Sequence, residues 1–191
     1  MIITDIAKLK EVSTPVISVE EAQEIITKLT EELIKHPHGI GLSAIQIGIP
    51  KQVSIIKVNN SFTYLINPVE VEKLDEFVFP NEGCLSLPYL SFYTKRYASY
   101  IIKNNIIDNG QFREEEQYYY FSFNREENHD AILAIAVQHE IEHQKGLTLY
   151  DVVVKEKPVI KNKKIGRNEP CPCGKKKSDG KPVKYKNCCG K

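Results

Sequence analysis

The chain has 191 residues, 26 of them Lys or Arg and 25 Asp or Glu, with a formal net charge of +1. That length holds one domain of about 160 residues with a real core, plus an appendage. No apolar run follows a basic N-terminus and no stretch of about 18 apolar residues occurs, so neither a signal peptide nor a membrane span is expected and the cytoplasm is the expected location.

The first fifteen residues carry no readable chemistry. Ser18-Val19-Glu20-Glu21 then reads as a capping box, with Ser at the N-cap and Glu at the third helical position. Ala22, Ile25, Ile26, Leu29 and Leu33 follow at helical spacing, and Pro37 and Gly39 end the helix. Gly39-Ile40-Gly41-Leu42-Ser43-Ala44-Ile45-Gln46 is a Gly-rich turn ending in an amide. Its glycines allow close backbone approach to a ligand, and Gln46 can donate to a developing oxyanion. The alternative is a helix-to-strand connection with a surface Gln.

Gln52 to Val58 and Phe62 to Ile66 read as strands joined through Asn59-Asn60, a hairpin signal, and Val69 to Leu74 reads as another strand. Glu82-Gly83-Cys84-Leu85-Ser86-Leu87-Pro88 follows. Cys84 is either a small buried hydrophobe or a thiolate ligand. Ser99 to Ile107 and Gln111 to Phe123 flank Asp108-Asn109-Gly110, a second hairpin signal. Tyr118, Tyr119, Tyr120, Phe121 and Phe123 make its second arm aromatic on both faces, which reads as a covered strand rather than an exposed interaction patch.

Next comes a helix with Asn128 as N-cap, an apolar stretch from Ala131 to Val137 suited to a buried helix, and Gly146 as its stop. It carries H-E-x-x-H. His139 and His143 are four residues apart, so both imidazoles leave one face of the helix and can share a divalent metal. Glu140 projects beside them, where it can take a proton from a water the metal activates. Two histidines make an incomplete site. Downstream the chain offers no further His, and Glu156 is the only nearby Glu, in a strand-like segment. Upstream, Cys84 is the other candidate. Strands around a helix bearing H-E-x-x-H give an α+β domain with antiparallel strands packed around a central helix.

In this order and spacing, G-I-G-L-S-A-I-Q, E-G-C-L-S and Q-H-E-I-E-H resemble the three signature motifs of peptide deformylase, over about residues 35 to 151 and more weakly from the N-terminus to about 160. The resemblance implies an α+β enzyme that removes the N-formyl group from the initiator methionine of nascent chains. It implies Cys84, His139 and His143 as metal ligands, Glu140 as general base, and Gln46 with the Leu85 backbone N–H as holders of the formyl oxygen. Gly39, Ile40, Gly41, Ile135 and Ala136 are implied around the substrate. The implied native metal is iron(II), with zinc, nickel or cobalt substituting. Departures are Ser43 and Ile45, where the family often has Ala and Pro or Thr, Glu142 where Asp is usual, and Gln144 where Leu is common. An ordinary metalloprotease is disfavoured for want of a downstream ligand. A deformylase-like scaffold acting mainly by binding is the alternative.

The C-terminal segment is a different object. Residues 161–191 hold 11 Lys and Arg against Glu169 and Asp179, net +9, which leaves 15 against 23 and net −8 for residues 1–160. Four of the five cysteines lie here, as Cys171-Pro172-Cys173 and Cys188-Cys189, arguing for metal rather than disulfides in a reducing compartment. Two close pairs suit a four-cysteine zinc knuckle. The segment resembles the SEC-C zinc-binding motif, with Lys176 to Val183 lengthening the loop between the pairs. The expected division is therefore a catalytic domain at 1–160 and a zinc tail at 161–191, the tail serving to hold the enzyme near ribosomal phosphate or a chaperone. The alternative is a disordered basic tail with free thiols.

Overall fold

The computed structural model describes residues 1–122, 131–154, 159–160, 166–171, 176–177 and 180–188. Asn128, Phe123, Glu156, Cys173 and Cys189, which the sequence singled out, lie outside them. In chain order the elements are α1 (Ile6–Leu9), α2 (Val19–Leu33), β1 (Gly41–Ser43), a 3-10 turn (Ala44–Ile47), β2 (Val53–Val58), β3 (Ser61–Ile66), β4 (Val69–Glu82), β5 (Leu90–Asp108), β6 (Gln111–Tyr120), α3 (Ala131–Gln144), α4 (Leu149–Val152), β7 (Val159–Ile160) and a 3-10 turn (Tyr185–Asn187). One antiparallel sheet has the order β1-β2-β3, and a second runs β4-β5-β6 with β7 on β5. Among the described residues no helix is long and apolar enough to cross a membrane.

The contacts divide the chain into two compact units, Met1–Phe77 with Arg96–Thr148, and Val78–Lys95 with Leu149–Lys191. In the first, Ser18 caps α2 by accepting from the Glu21 N–H at 3.1 Å. The Glu21 side chain returns the bond to the N–H of Ile17, one residue before the expected partner. Asn59 and Asn60 both adopt positive φ, as a two-residue hairpin with right-handed twist requires, and they join β2 to β3. Asn109 and Gly110 do the same between β5 and β6, where Asp108 faces Gln111. Buried Asn104 of β5 ties the sheets together: it accepts from the Ile66 N–H at 2.8 Å and donates to the Tyr64 carbonyl at 2.9 Å. Ala134, Val137 and Ile141 of α3 pack with Ile56, Leu65, Tyr100, Ile102 and Tyr119.

Three strand expectations need correcting. The β4 strand runs eight residues past Leu74, and β5 begins nine residues before Ser99. Most β4 side chains are exposed, so the strand lacks the apolar alternation that would reveal its length. The β6 strand stops at Tyr120. It is not covered on both faces: Tyr119 is buried, but Tyr118 and Tyr120 are 55% and 62% exposed. Neighbouring residues of a strand point to opposite faces, and only one face of β6 meets the core.

In the second unit, Val159 and Ile160 pair with Ser91 and Leu90. Phe92 meets Tyr150 edge to face at 5.2 Å. Further on, the Cys171 N–H donates to the Val183 carbonyl at 2.7 Å, and Pro170 bridges to Lys184. Within the lengthened loop the Lys177 N–H donates to the Lys181 carbonyl at 2.8 Å.

Candidate active site

The α3 helix delivers five of the predicted site residues: His139, Glu140 and His143 for the metal and the proton, and Ile135 and Ala136 beside the substrate. All residues from Ala134 to Ile141 are buried, as the apolar sequence of the helix suits, whereas Ile132 in the first turn is 44% exposed. Gly146 stops it: φ is +73°, and a Cβ there would stand 2.6 Å from the Lys10 carbonyl oxygen. His139 and His143 are both buried, with ring centroids 4.9 Å apart.

Polar clamps fix the helix. Gln138 accepts from the Tyr97 N–H and donates to the Tyr97 carbonyl, both at 2.9 Å, so its amide pairs with the β5 backbone as a strand would. Arg96, fully buried, donates to Glu142 at 2.7 Å. Lys145, just past the helix, and Tyr100 both donate to Glu70 of β4. Burial alone would raise the Glu70 pKa; these hydrogen bonds instead bring it below the ordinary carboxylate value. Burial, then the Glu70 partner, pushes the Tyr100 hydroxyl pKa up.

Glu140 is 3% exposed and its carboxylate is gripped from two sides. The Ser43 hydroxyl donates to Oε2 at 2.6 Å. On the other side, a Cβ on Gly41 would stand 2.3 Å from Oε1. The close approach that Gly41 permits is thus made by this side chain. Gln46 is 1% exposed, which overturns the surface alternative. Its Oε1 accepts from the Ser43 N–H at 2.8 Å, which commits the oxygen and turns the NH2 into the working end of the amide. The N-terminal residues, silent in the sequence, brace this region: the Ile3 N–H donates to the Gln46 carbonyl at 2.8 Å and the Ser13 N–H to the Gln144 carbonyl at 2.9 Å.

Cys84 sits half-buried in a turn closed by the Leu87 N–H on the Cys84 carbonyl at 3.0 Å, with Leu85 half-buried beside it. Cys84, His139 and His143 form a group that can hold a metal: one ligand atom from each lies within 4.8 Å of the other two. A thiolate and two imidazoles suit a divalent transition metal. Of the residues expected around the substrate, Ile135 and Ala136 are buried, while Gly39 is half-buried and Ile40 exposed. No sequence signal pointed to a role for Gln138 or Arg96, whose partners lie 41 and 46 positions away. For Ser43, Glu142 and Gln144 the available signal was that each departs from the family pattern, Ser43 and Gln144 by adding a polar group and Glu142 by a longer carboxylate side chain.

A model of the polypeptide deformylase family matches residues 2–159. A peptide deformylase of Bartonella quintana is 34% identical over 157 residues, covering 78% of this chain and 80% of its own. One of Rhizorhabdus wittichii is 29% identical over 169 residues, covering 83% and 88%. Among solved structures, a peptide deformylase from Synechococcus elongatus in complex with actinonin aligns with a TM-score of 0.66 at 26% identity, over 78% of this chain and 75% of that one. A peptide deformylase from Thermotoga maritima aligns with a TM-score of 0.62 at 27% identity, over 78% and 92%.

Proposed function

This chain belongs to the polypeptide deformylase family, and on that premise we propose which of its residues remove the N-formyl group from formylmethionine on nascent polypeptides. Cys84, His139 and His143 hold the metal. The observation that supports this is the thiol and two imidazole ligand atoms gathered within 4.8 Å. The resemblance favours iron(II). A divalent ion bound there supplies Lewis acidity, which brings the pKa of water toward neutrality.

Glu140 takes the proton from the attacking water and returns it to the leaving amine of methionine. Its place between Ser43 and Gly41 supports that role, because a proton carrier works only when held in reach. The Gln46 NH2 and the Leu85 N–H receive the formyl oxygen as negative charge builds on it; losing one such donor costs about 100-fold or more in rate. Formyl carries only hydrogen on its carbonyl carbon, so a tight site rejects bulkier acyl groups. Ile40, Ile135 and Ala136 line the slot for the methionine side chain, and Gly39 and Gly41 belong to the same substrate loop. The test is formate release from a formyl-Met peptide by the reduced chain, loaded anaerobically with iron. Glu140→Ala should abolish it with metal content unchanged; retained activity would overturn the assigned proton carrier.

The division into a catalytic domain at 1–160 and a zinc tail at 161–191 goes with this proposal. Cys171, Cys173, Cys188 and Cys189 hold the second metal, zinc. Buried Cys171, and the backbone bridge from Pro170 to Lys184 just before Cys188, support it. The tail's +9 charge suits ribosomal phosphate, and a cytoplasmic setting follows from that partner. Full-length chain should co-sediment with ribosomes in a salt-sensitive way and a 1–160 truncation should not. Equal sedimentation would reject the tether and leave a chaperone as the partner to test.

A further inference from the structure

The carboxylate of Glu140 stands at the end of a buried hydrogen-bond chain. The Gln144 Nε2 lies 2.7 Å from the Ser54 Oγ, the Ser54 Oγ lies 2.7 Å from the Ser43 Oγ, and the Ser43 Oγ lies 2.6 Å from Glu140 Oε2. All four residues are buried, at 3% exposure or less. Counting hydrogens sets the direction. An amide NH2 only donates, so the Ser54 oxygen accepts from Gln144. The single hydrogen of Ser54 then goes to Ser43, and the single hydrogen of Ser43 goes to the carboxylate. The Ser43 hydroxyl also lies 3.0 Å from the Glu140 carbonyl, but the shorter contact to a charged oxygen is the stronger one.

We infer that Ser43 is a positioning residue for deformylation, aiming the Glu140 carboxylate, and that Ser54 and Gln144 fix the direction in which its hydroxyl points. This rests on Glu140 being the proton carrier. The carboxylate is confined between a donor on Oε2 and the bare backbone of Gly41 at Oε1, so the hydroxyl sets its rotation about the last side-chain bond. Ser43 and Gln144 are two of the four departures from the family pattern, and Ser54 joins them physically although they are 101 positions apart in sequence. Replacing one member alone strands buried polar groups on the others.

The test is steady-state kinetics of the iron-loaded full-length chain on a formyl-Met peptide, with metal content and Tm measured for each variant. Ser43→Ala should lower kcat about tenfold while KM stays within about twofold, because the lost hydrogen bond acts on the proton carrier and not on substrate binding. Gln144→Leu should lower kcat about threefold, acting only through the hydroxyls. The double variant should be no slower than Ser43→Ala, since residues acting as one unit are not additive. Losses that multiply would overturn the chain, and kcat unchanged in Ser43→Ala would overturn the positioning role. Should Ser43→Ala not fold, Gln144→Leu decides alone, and unchanged kcat there overturns the inference. Glu140→Gln run in parallel separates the two claims: if it stays active the proton-carrier assignment fails, whereas its inactivity beside an unaffected Ser43→Ala sinks only the inference.

Discussion

Gly41→Ala isolates the geometry of the proton carrier. Gly41 does not adopt a left-handed backbone, so an alanine there meets no conformational penalty of its own. The three heavy atoms nearest its added Cβ all belong to Glu140: Oε1 at 2.3 Å, Cδ at 2.9 Å and Cγ at 3.0 Å. Ordinary contact begins near 3.4 Å, so the carboxylate oxygen must retreat by about 1 Å. A misplacement of about 1 Å at a reacting group costs on the order of 100-fold in rate. The assay is kcat for formyl-Met peptide hydrolysis, with metal content as control. We expect kcat to fall about 100-fold with the metal retained. A kcat within about twofold of the parent, at full metal loading, would show that the carboxylate's position does not limit the reaction.

Glu142→Ala removes the carboxylate that buried Arg96 donates to, and should destabilise the fold by about 3 kcal/mol in urea unfolding; a loss below about 1 kcal/mol would show that the guanidinium is satisfied without it. Glu70 has a lowered folded-state pKa, so its contribution is present above the unfolded carboxylate pKa and is lost as pH falls through the folded value. Glu70→Gln should therefore lower stability at neutral pH and flatten the loss of stability on acidification, read from Tm between about pH 7 and pH 3. Identical acid slopes would refute the Lys145–Glu70–Tyr100 linkage.

What the sequence made legible was local. H-E-x-x-H places two imidazoles on one face through helix geometry alone, and Asn59-Asn60 and Asn109-Gly110 announce their turns because those residues tolerate positive φ. Gly146 announces the helix stop for the same reason. The lengths of β4 and β5 were hidden, since their pairing depends on distant partners and the β4 side chains are mostly exposed. The exposed faces of Tyr118 and Tyr120 were hidden too: an aromatic run does not say which face is covered. The supports of the site were the least legible part. Gln138 holds a backbone 41 positions away, Arg96 meets Glu142 across 46, and Ser43 meets Glu140 across 97. Each looks like an ordinary polar residue until the fold brings its partner to it.

The metal centre itself is tested most directly by X-ray absorption at the iron edge of the reduced, iron-loaded chain, where zinc in the tail is invisible. One sulfur and two imidazole nitrogens are expected around the iron, and the sulfur should vanish in Cys84→Asp. A shell of nitrogen and oxygen alone in the folded parent would contradict the assignment of Cys84 to the metal.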